Sequence, residues 1–208
     1  MRIGVTGAGW LGGTVGARWV KAGHEVLFST RHPERLKNLP MELGANASIG
    51  TVADAAAFGP VVLIATPYEA VEGIGHDHRQ ALHGKIVLDA TNSWPSDTLA
   101  DETAKNGVGL TSARLLAGTR LVRAFSAVDA TAVDASAAGG RERLAVPLAG
   151  DDREAIDVAV QLVRDAGCDP LVVGDLAAGR SFERHGPGFR ANTALPKLRR
   201  LLQLPGSS

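Results

Sequence analysis

With 208 residues the chain is long enough for one full core, or for a main domain with a small second lobe. Its formal net charge is +0 and lysine and arginine are scattered rather than striped, which speaks against a nucleic-acid partner. The single cysteine, Cys168, excludes an intrachain disulfide and a cysteine metal cluster, and the longest apolar run, Val61 to Ala65, is too short to cross a bilayer.

The first apolar run, Ile3-Gly4-Val5, reads as a strand starting at residue 2 or 3. That leaves no room for a signal peptide, so a cytoplasmic location is the default expectation. Gly7-Ala8-Gly9-Trp10-Leu11-Gly12 follows, and then Leu11, Val15, Trp19 and Val20 at helical spacing. Strand, glycine turn and helix in that order make a dinucleotide fingerprint. The first glycine makes the turn, the second clears the approach of a pyrophosphate, and the third lets helix and strand pack closely. Free N–H groups and the helix dipole favour phosphate there. Gly7, Gly9, Trp10, Leu11 and Gly12 are therefore candidate cofactor contacts. Trp10 stands where a smaller residue is common, and it covers the cofactor or shields the cleft mouth.

Glu25 to Phe28 reads as the second strand. About 20 residues past such a fingerprint, an NAD site places a carboxylate against the ribose 2′-hydroxyl. Here Ser29-Thr30-Arg31-His32 occupy the place. Hydroxyls and a guanidinium suit a 2′-phosphate, so Ser29, Thr30 and Arg31 point to NADP(H).

A short helix follows Pro33, Ala45 to Ile49 is a weak strand, and Asp54 to Phe58 is a helix. The continuous apolar run Val61 to Ala65 suits a parallel strand buried on both faces. Thr66-Pro67 ends it. Lys85 to Ala90 is the next strand, and Asp97 to Asn106 reads as a helix capped by Ser96. A short helix near Ser112 to Leu116 leads to a strand at Leu121 to Phe125. Thr131 to Gly140 reads as a helix and turn, Leu144 to Leu148 as a strand, and Asp151 to Ala166 as a helix with Ile156, Val160 and Val163 on one face. Leu171 to Val173 is the last strand. Thr193 to Leu202 makes a helix whose leucines face core or a dimer partner, and Pro205 to Ser208 fray. The pattern predicts an α/β, Rossmann-type doubly wound parallel sheet with a small C-terminal α/β lobe. Residues 1–128 form the NADP-binding domain and 129–208 the lobe, with acceptor cleft and dimer contacts.

Ligands of open α/β sheets lie beyond the carboxyl ends of the strands. Thr66, Pro67, Ala90 and Asn92 stand there and are candidates for the nicotinamide end: two polar groups for ribose or carboxamide, two residues for an apolar wall. No catalytic residue is assigned. The only tyrosine, Tyr68, has Glu72 four residues on, so the Tyr-x-x-x-Lys pair of short-chain dehydrogenases is absent. A carbonyl or imine reductase would need a proton donor that the sequence does not offer. Hydride transfer to a flavin-like ring needs none at the reacting carbon. His76, Asp77, His78 and His83 match no zinc spacing, and no metal site is expected. Glu183-Arg184-His185-Gly186 reads as an exposed turn, with contact to an acceptor as the alternative.

Taken in order, Met1-Arg2-Ile3 with the fingerprint, Ser29-Thr30-Arg31, Ile64 to Pro67, Val87 to Asn92, Arg123 to Ser126, Ala149 to Asp152 and Gly174-Asp175-Leu176 resemble the NADPH-dependent coenzyme F-420 (deazaflavin) reductase family. That resemblance implies a Rossmann domain with a small lobe, a cleft where the acceptor ring lies on the nicotinamide, and a homodimer. It also implies a 2′-phosphate held at Ser29, Thr30 and Arg31. The chain departs from the family at Ser126, in place of an asparagine, and at Asn92-Ser93-Trp94-Pro95, where Trp94 adds bulk by the acceptor site. The expectation is an oxidoreductase passing hydride between NADP(H) and coenzyme F-420, a flavin or a similar small-molecule acceptor. The alternative is a non-catalytic NADP(H)-binding sensor or regulatory protein.

Overall fold

The structure is a computed structural model that describes residues 1–139 and 142–204. Its strands are β1 (Arg2–Thr6), β2 (Glu25–Ser29), β3 (Ala47–Gly50), β4 (Val61–Ile64), β5 (Ile86–Asp89), β6 (Arg120–Arg123), β7 (Ala145–Gly150) and β8 (Asp169–Gly174). They form one eight-stranded sheet in the order β3-β2-β1-β4-β5-β6-β7-β8. The pairs from β3 through β6 are parallel, β6–β7 is antiparallel and β7–β8 is parallel. The C-terminal strands thus extend the same sheet with reversed direction. Strand order reverses between β1 and β4, which opens a crevice at their carboxyl ends.

The helices are α1 (Trp10–Lys21), α2 (Leu39–Leu43), α3 (Val52–Phe58), α4 (Ala70–Asp77), α5 (Arg79–Leu82), α6 (Ala100–Asn106), α7 (Val108–Leu115), α8 (Ala130–Ala137), α9 (Arg153–Asp165) and α10 (Leu195–Leu201). Every residue of β4 and β5 is buried, which is why β4 reads as an unbroken apolar run and β5 as one up to Asp89. One face carries Val15, Trp19, Phe28, Phe125 and Leu162, and the other carries Tyr68, Val71, Ile74 and Leu116. Trp19 ties α1 to α9 by donating Nε1–H to the Leu162 carbonyl at 2.8 Å, and its ring meets Phe125 edge-on at 6.0 Å. Arg120 on β6 holds Asp152, the cap of α9, through two hydrogen bonds of 2.7 and 2.8 Å. That partnership, with the Ala155 N–H, lowers the Asp152 carboxyl to about 2.

Two expectations need correction. The helix expected from Asp97 begins at Ala100, because the Asp97 carboxylate accepts the Trp94 N–H at 2.6 Å and closes a turn instead. On α9 the fully buried residues are Ala155, Ala159, Leu162 and Val163, while Ile156 and Val160 are half-buried, so the inward stripe is rotated towards small side chains. On α10, Leu198 and Leu202 are buried against Ala145 and Leu171, and Leu201 is exposed. The turn at Gly140 and the fraying at 205–208 lie outside the described residues. Cys168 is buried, and burial pushes its thiol up to about 11. No helix among the described residues is long and apolar enough to cross a membrane.

Candidate functional site

The glycine turn joins β1 to α1. Gly7 has φ +86°, and a Cβ there would lie 2.5 Å from the Ala65 carbonyl oxygen of the β4 end. A Cβ on Gly12 would lie 2.3 Å from the Gly7 carbonyl oxygen, so this glycine lets the helix close onto the turn. Gly9 differs from both. It has φ −77° at the N-cap of α1, and nothing stands within 4 Å of where its Cβ would project. No side chain caps α1, and its first turn has no acidic residue. The positive end of a twelve-residue helix therefore faces open space beside a residue without a side chain, an arrangement that fits a diphosphate.

At the end of β2 the structure reassigns Ser29. Its side chain is fully buried, its hydroxyl donates to the Val5 carbonyl at 3.1 Å, and its own carbonyl accepts the Gly7 and Ala8 N–H groups at 3.1 and 2.8 Å. Ser29 thus anchors the glycine turn, and its hydroxyl is not presented to the cleft. Thr30 is half-buried, with its hydroxyl oxygen accepting the His32 N–H at 3.2 Å. Arg31 is exposed at the mouth, while neighbouring His32 turns to Glu34 at 3.3 Å. Of the three residues, Arg31 is the one whose charge is available to a 2′-phosphate.

The other end of the crevice is marked by polar atoms lacking partners. Thr66 Oγ1, Asn92 Oδ1 and Ser126 Oγ, following β4, β5 and β6, are buried with no hydrogen-bond partner in the structure. Buried polar atoms are normally satisfied, so three such atoms on adjacent strand ends mark a place for a polar ligand. Asn92 is oriented by donating Nδ2–H to the Ser126 carbonyl at 2.7 Å. Ala90 is buried beside it and Pro67 is exposed at the rim. Phe125, just before Ser126, adopts φ +60°, a costly conformation for a bulky residue and one concentrated at functional sites.

Beneath this edge Arg123 and Asp89 form a fully buried ion pair at 2.7 Å. Arg123 also donates to the Thr91 carbonyl at 2.8 Å, and Asp89 Oδ1 accepts both the N–H and hydroxyl of Thr91, at 2.9 and 2.6 Å. The pair sets the course of the loop that carries Asn92. Tyr68 is buried in the core with Ser112 at 3.4 Å, and burial pushes its hydroxyl up to about 12. It is no proton donor to the cleft.

The C-terminal segment supplies residues that the sequence reading underweighted. Phe182 packs on Ala127 after β6, and further on the Arg190 N–H donates to the Ala127 carbonyl at 2.9 Å. Residues 182–190 thereby cross the end of β6 and wall a cavity on each side. One, of about 310 Å³, lies between Trp10, Leu11 and the start of α8, where Arg190 pairs with Asp129. The other, of about 400 Å³, begins at Ser93, next to Asn92. Trp10 is 77% exposed and edges the first cavity, as a cover to the cleft would. Glu183, expected in an exposed turn, is buried and accepts the Gly109 N–H at 2.9 Å. Nothing local in the sequence signals these placements, which depend on contacts across more than 60 residues, such as that of Asn192 with Asp129. His76 lies on the surface beside Asp77, and among the described residues no cluster suited to a metal ion occurs.

A family model described as NADP oxidoreductase coenzyme F420-dependent matches residues 2–93. The chain is 28% identical over 182 residues to metalloreductase STEAP3 of Rattus norvegicus; the match covers 88% of this chain, which spans 36% of the length of that curated relative. Among solved structures it is similar to the hypothetical protein SMa0349 from Sinorhizobium meliloti, with 25% identity, a TM-score of 0.76 and coverage of 94% of this chain and 93% of that one. It also shares its fold with a proposed F420-dependent NADP reductase from Arthrobacter sp. FB24, at 23% identity, TM-score 0.69, and 97% and 95% coverage. Over residues 2–93, therefore, the chain is similar to the family of coenzyme F420-dependent NADP oxidoreductases.

Proposed function

We propose that this protein passes hydride between NADP(H) and a planar acceptor of deazaflavin or flavin type. The observation that carries the cofactor half is the uncapped start of α1, where Gly9 faces open space with Arg31 at the end of the neighbouring strand. NADPH supplies a hydride, that is two electrons and a proton, and leaves as NADP+; the acceptor takes its remaining proton from solvent. The protein's own part is positioning. The α1 amides and Gly9 hold the diphosphate, and Arg31 pairs with the 2′-phosphate. Thr66, Asn92 and Ser126 offer their unpaired oxygens to the nicotinamide end, and the cavity starting at Ser93 receives the acceptor. With Tyr68 sequestered in the core, a planar acceptor that needs no protein acid at its reacting carbon suits the site better than a carbonyl.

The reading is tested by NADPH oxidation with coenzyme F-420, FMN, FAD and quinones. Turnover with at least one is expected, and turnover with none would leave a nucleotide-binding protein without reductase activity. Separately, Arg31→Ala is expected to weaken NADPH binding by about 1.5–3 kcal/mol, the worth of a hydrogen bond to a charged group. NADH binding should barely change. Calorimetric titration with both nucleotides checks this, and equal losses would remove Arg31 from the 2′-phosphate.

A further inference from the structure

The loop after Asn92, helix α6 and the turn following Phe182 enclose the cavity of about 400 Å³, a size that takes a drug-sized ligand. Most polar groups that line it are engaged within the protein. Arg180 donates to the Lys105 and Ala104 carbonyls at the end of α6, at 2.9 and 2.6 Å. The Ser93 hydroxyl oxygen accepts from Thr103 at 2.9 Å, and the Glu183 carboxylate holds Gly109. Asp101 and His185 are exposed at the rim. Arg184 is different. Its guanidinium carbon lies 4.4 Å over the Trp94 ring, and its Nη1 is buried with no hydrogen-bond partner in the structure.

A buried donor without an acceptor is unfavourable, and a guanidinium is best satisfied by an oxyanion through charge-assisted hydrogen bonds. The indole beneath it is a flat apolar surface that stays 47% exposed. An unfilled cationic donor and an aromatic plane on one wall select a flat ligand bearing an acid group over a neutral one. Glu183 and Asp101 line the same cavity, so the selection cannot come from diffuse positive charge; it falls to Arg184 itself. We propose that Arg184, stacked on Trp94, reads the phosphate or carboxylate side chain of a planar acceptor whose ring occupies this cavity. The proposal rests on the hydride-transfer reading for the identity of its ligand as an acceptor, and its test is a binding measurement made without NADPH.

The full chain is titrated into FMN, carboxymethylflavin and riboflavin, with quenching of flavin emission as readout. FMN is expected to bind at least about tenfold more tightly than riboflavin, the worth of one charged hydrogen bond. Comparable tightening with carboxymethylflavin means that any oxyanion suffices; tightening with FMN alone means that the phosphate is read. Arg184→Gln should bring all three ligands to within about twofold of one another, and Trp94→Ala should weaken all three together. A thermal melt confirms folding, and Arg184→Lys, which keeps the charge but loses the planar fork, should retain part of the preference. Equal binding of FMN and riboflavin by the parent protein, absence of flavin binding, or a preference that survives Arg184→Gln would each overturn the proposal. A protein that oxidises NADPH without preferring anionic flavins overturns this inference and leaves the reductase reading standing. An anion preference in a protein that ignores NADPH does the reverse.

Discussion

Gly9→Val is expected to give a protein that folds as the parent does and binds neither NADPH nor NADH. The two halves of that result have separate causes. Folding survives because φ −77° is open to any L-residue and because nothing lies within 4 Å of the new Cβ. Binding is lost because the added methyls project into the space where the α1 amides would meet the diphosphate. Gly7 and Gly12 provide the contrast. Side chains there meet backbone at 2.5 and 2.3 Å, and Gly7 holds φ +86°, so their replacement costs stability as well as affinity. A thermal melt paired with calorimetric titration separates the cases. A Gly9→Val protein that melts like the parent and still takes NADPH at parental affinity would move the diphosphate away from α1. It would remove the basis of the cofactor assignment with it.

How far the sequence disclosed this site depended on the range of the forces involved. The β1–turn–α1 unit was legible because each glycine answers a local steric demand. Strand β4 was legible because burial on both faces leaves no polar position to interrupt it. Ser29 was misread for a register reason. It ends a strand whose last four residues are all buried, paired with Thr6, so its hydroxyl reaches the Val5 carbonyl instead of the cleft. The start of α6 was misplaced because Asp97, expected in the first turn after a Ser96 cap, closes a turn with the Trp94 N–H instead, and that choice rests on where Trp94 stands. The pairing of β7 with β6 and the passage of residues 182–190 across the end of β6 are non-local and leave no periodic trace. The positive-φ residues of that segment, His185 and Arg190, are not types whose conformation could be inferred from sequence. The wall formed by residues 182–190 was therefore the least legible part of the site.

The buried pair under the cleft sets the second large expectation: Arg123→Met should cost about 3–5 kcal/mol, because it strands a carboxylate in the core. Arg123 and Asp89 are both wholly buried, and their 2.7 Å contact is the charge compensation for Asp89. Asp89 would keep only the two hydrogen bonds from Thr91. Against a typical domain stability of about 5–15 kcal/mol, such a loss is severe. It would also free the Thr91 carbonyl and loosen the loop that aims Asn92, so NADPH affinity should fall in whatever fraction remains folded. Urea unfolding of the parent, Arg123→Met and Arg123→Met/Asp89→Asn measures the effect and its source. The double variant removes the stranded charge and should recover much of the loss. If the single and double variants are equally destabilised, the cost lies in packing and in the lost Thr91 contact rather than in the unpaired carboxylate. A single variant as stable as the parent would mean that the pair carries no weight in the fold and that the Asn92 loop is held by other contacts.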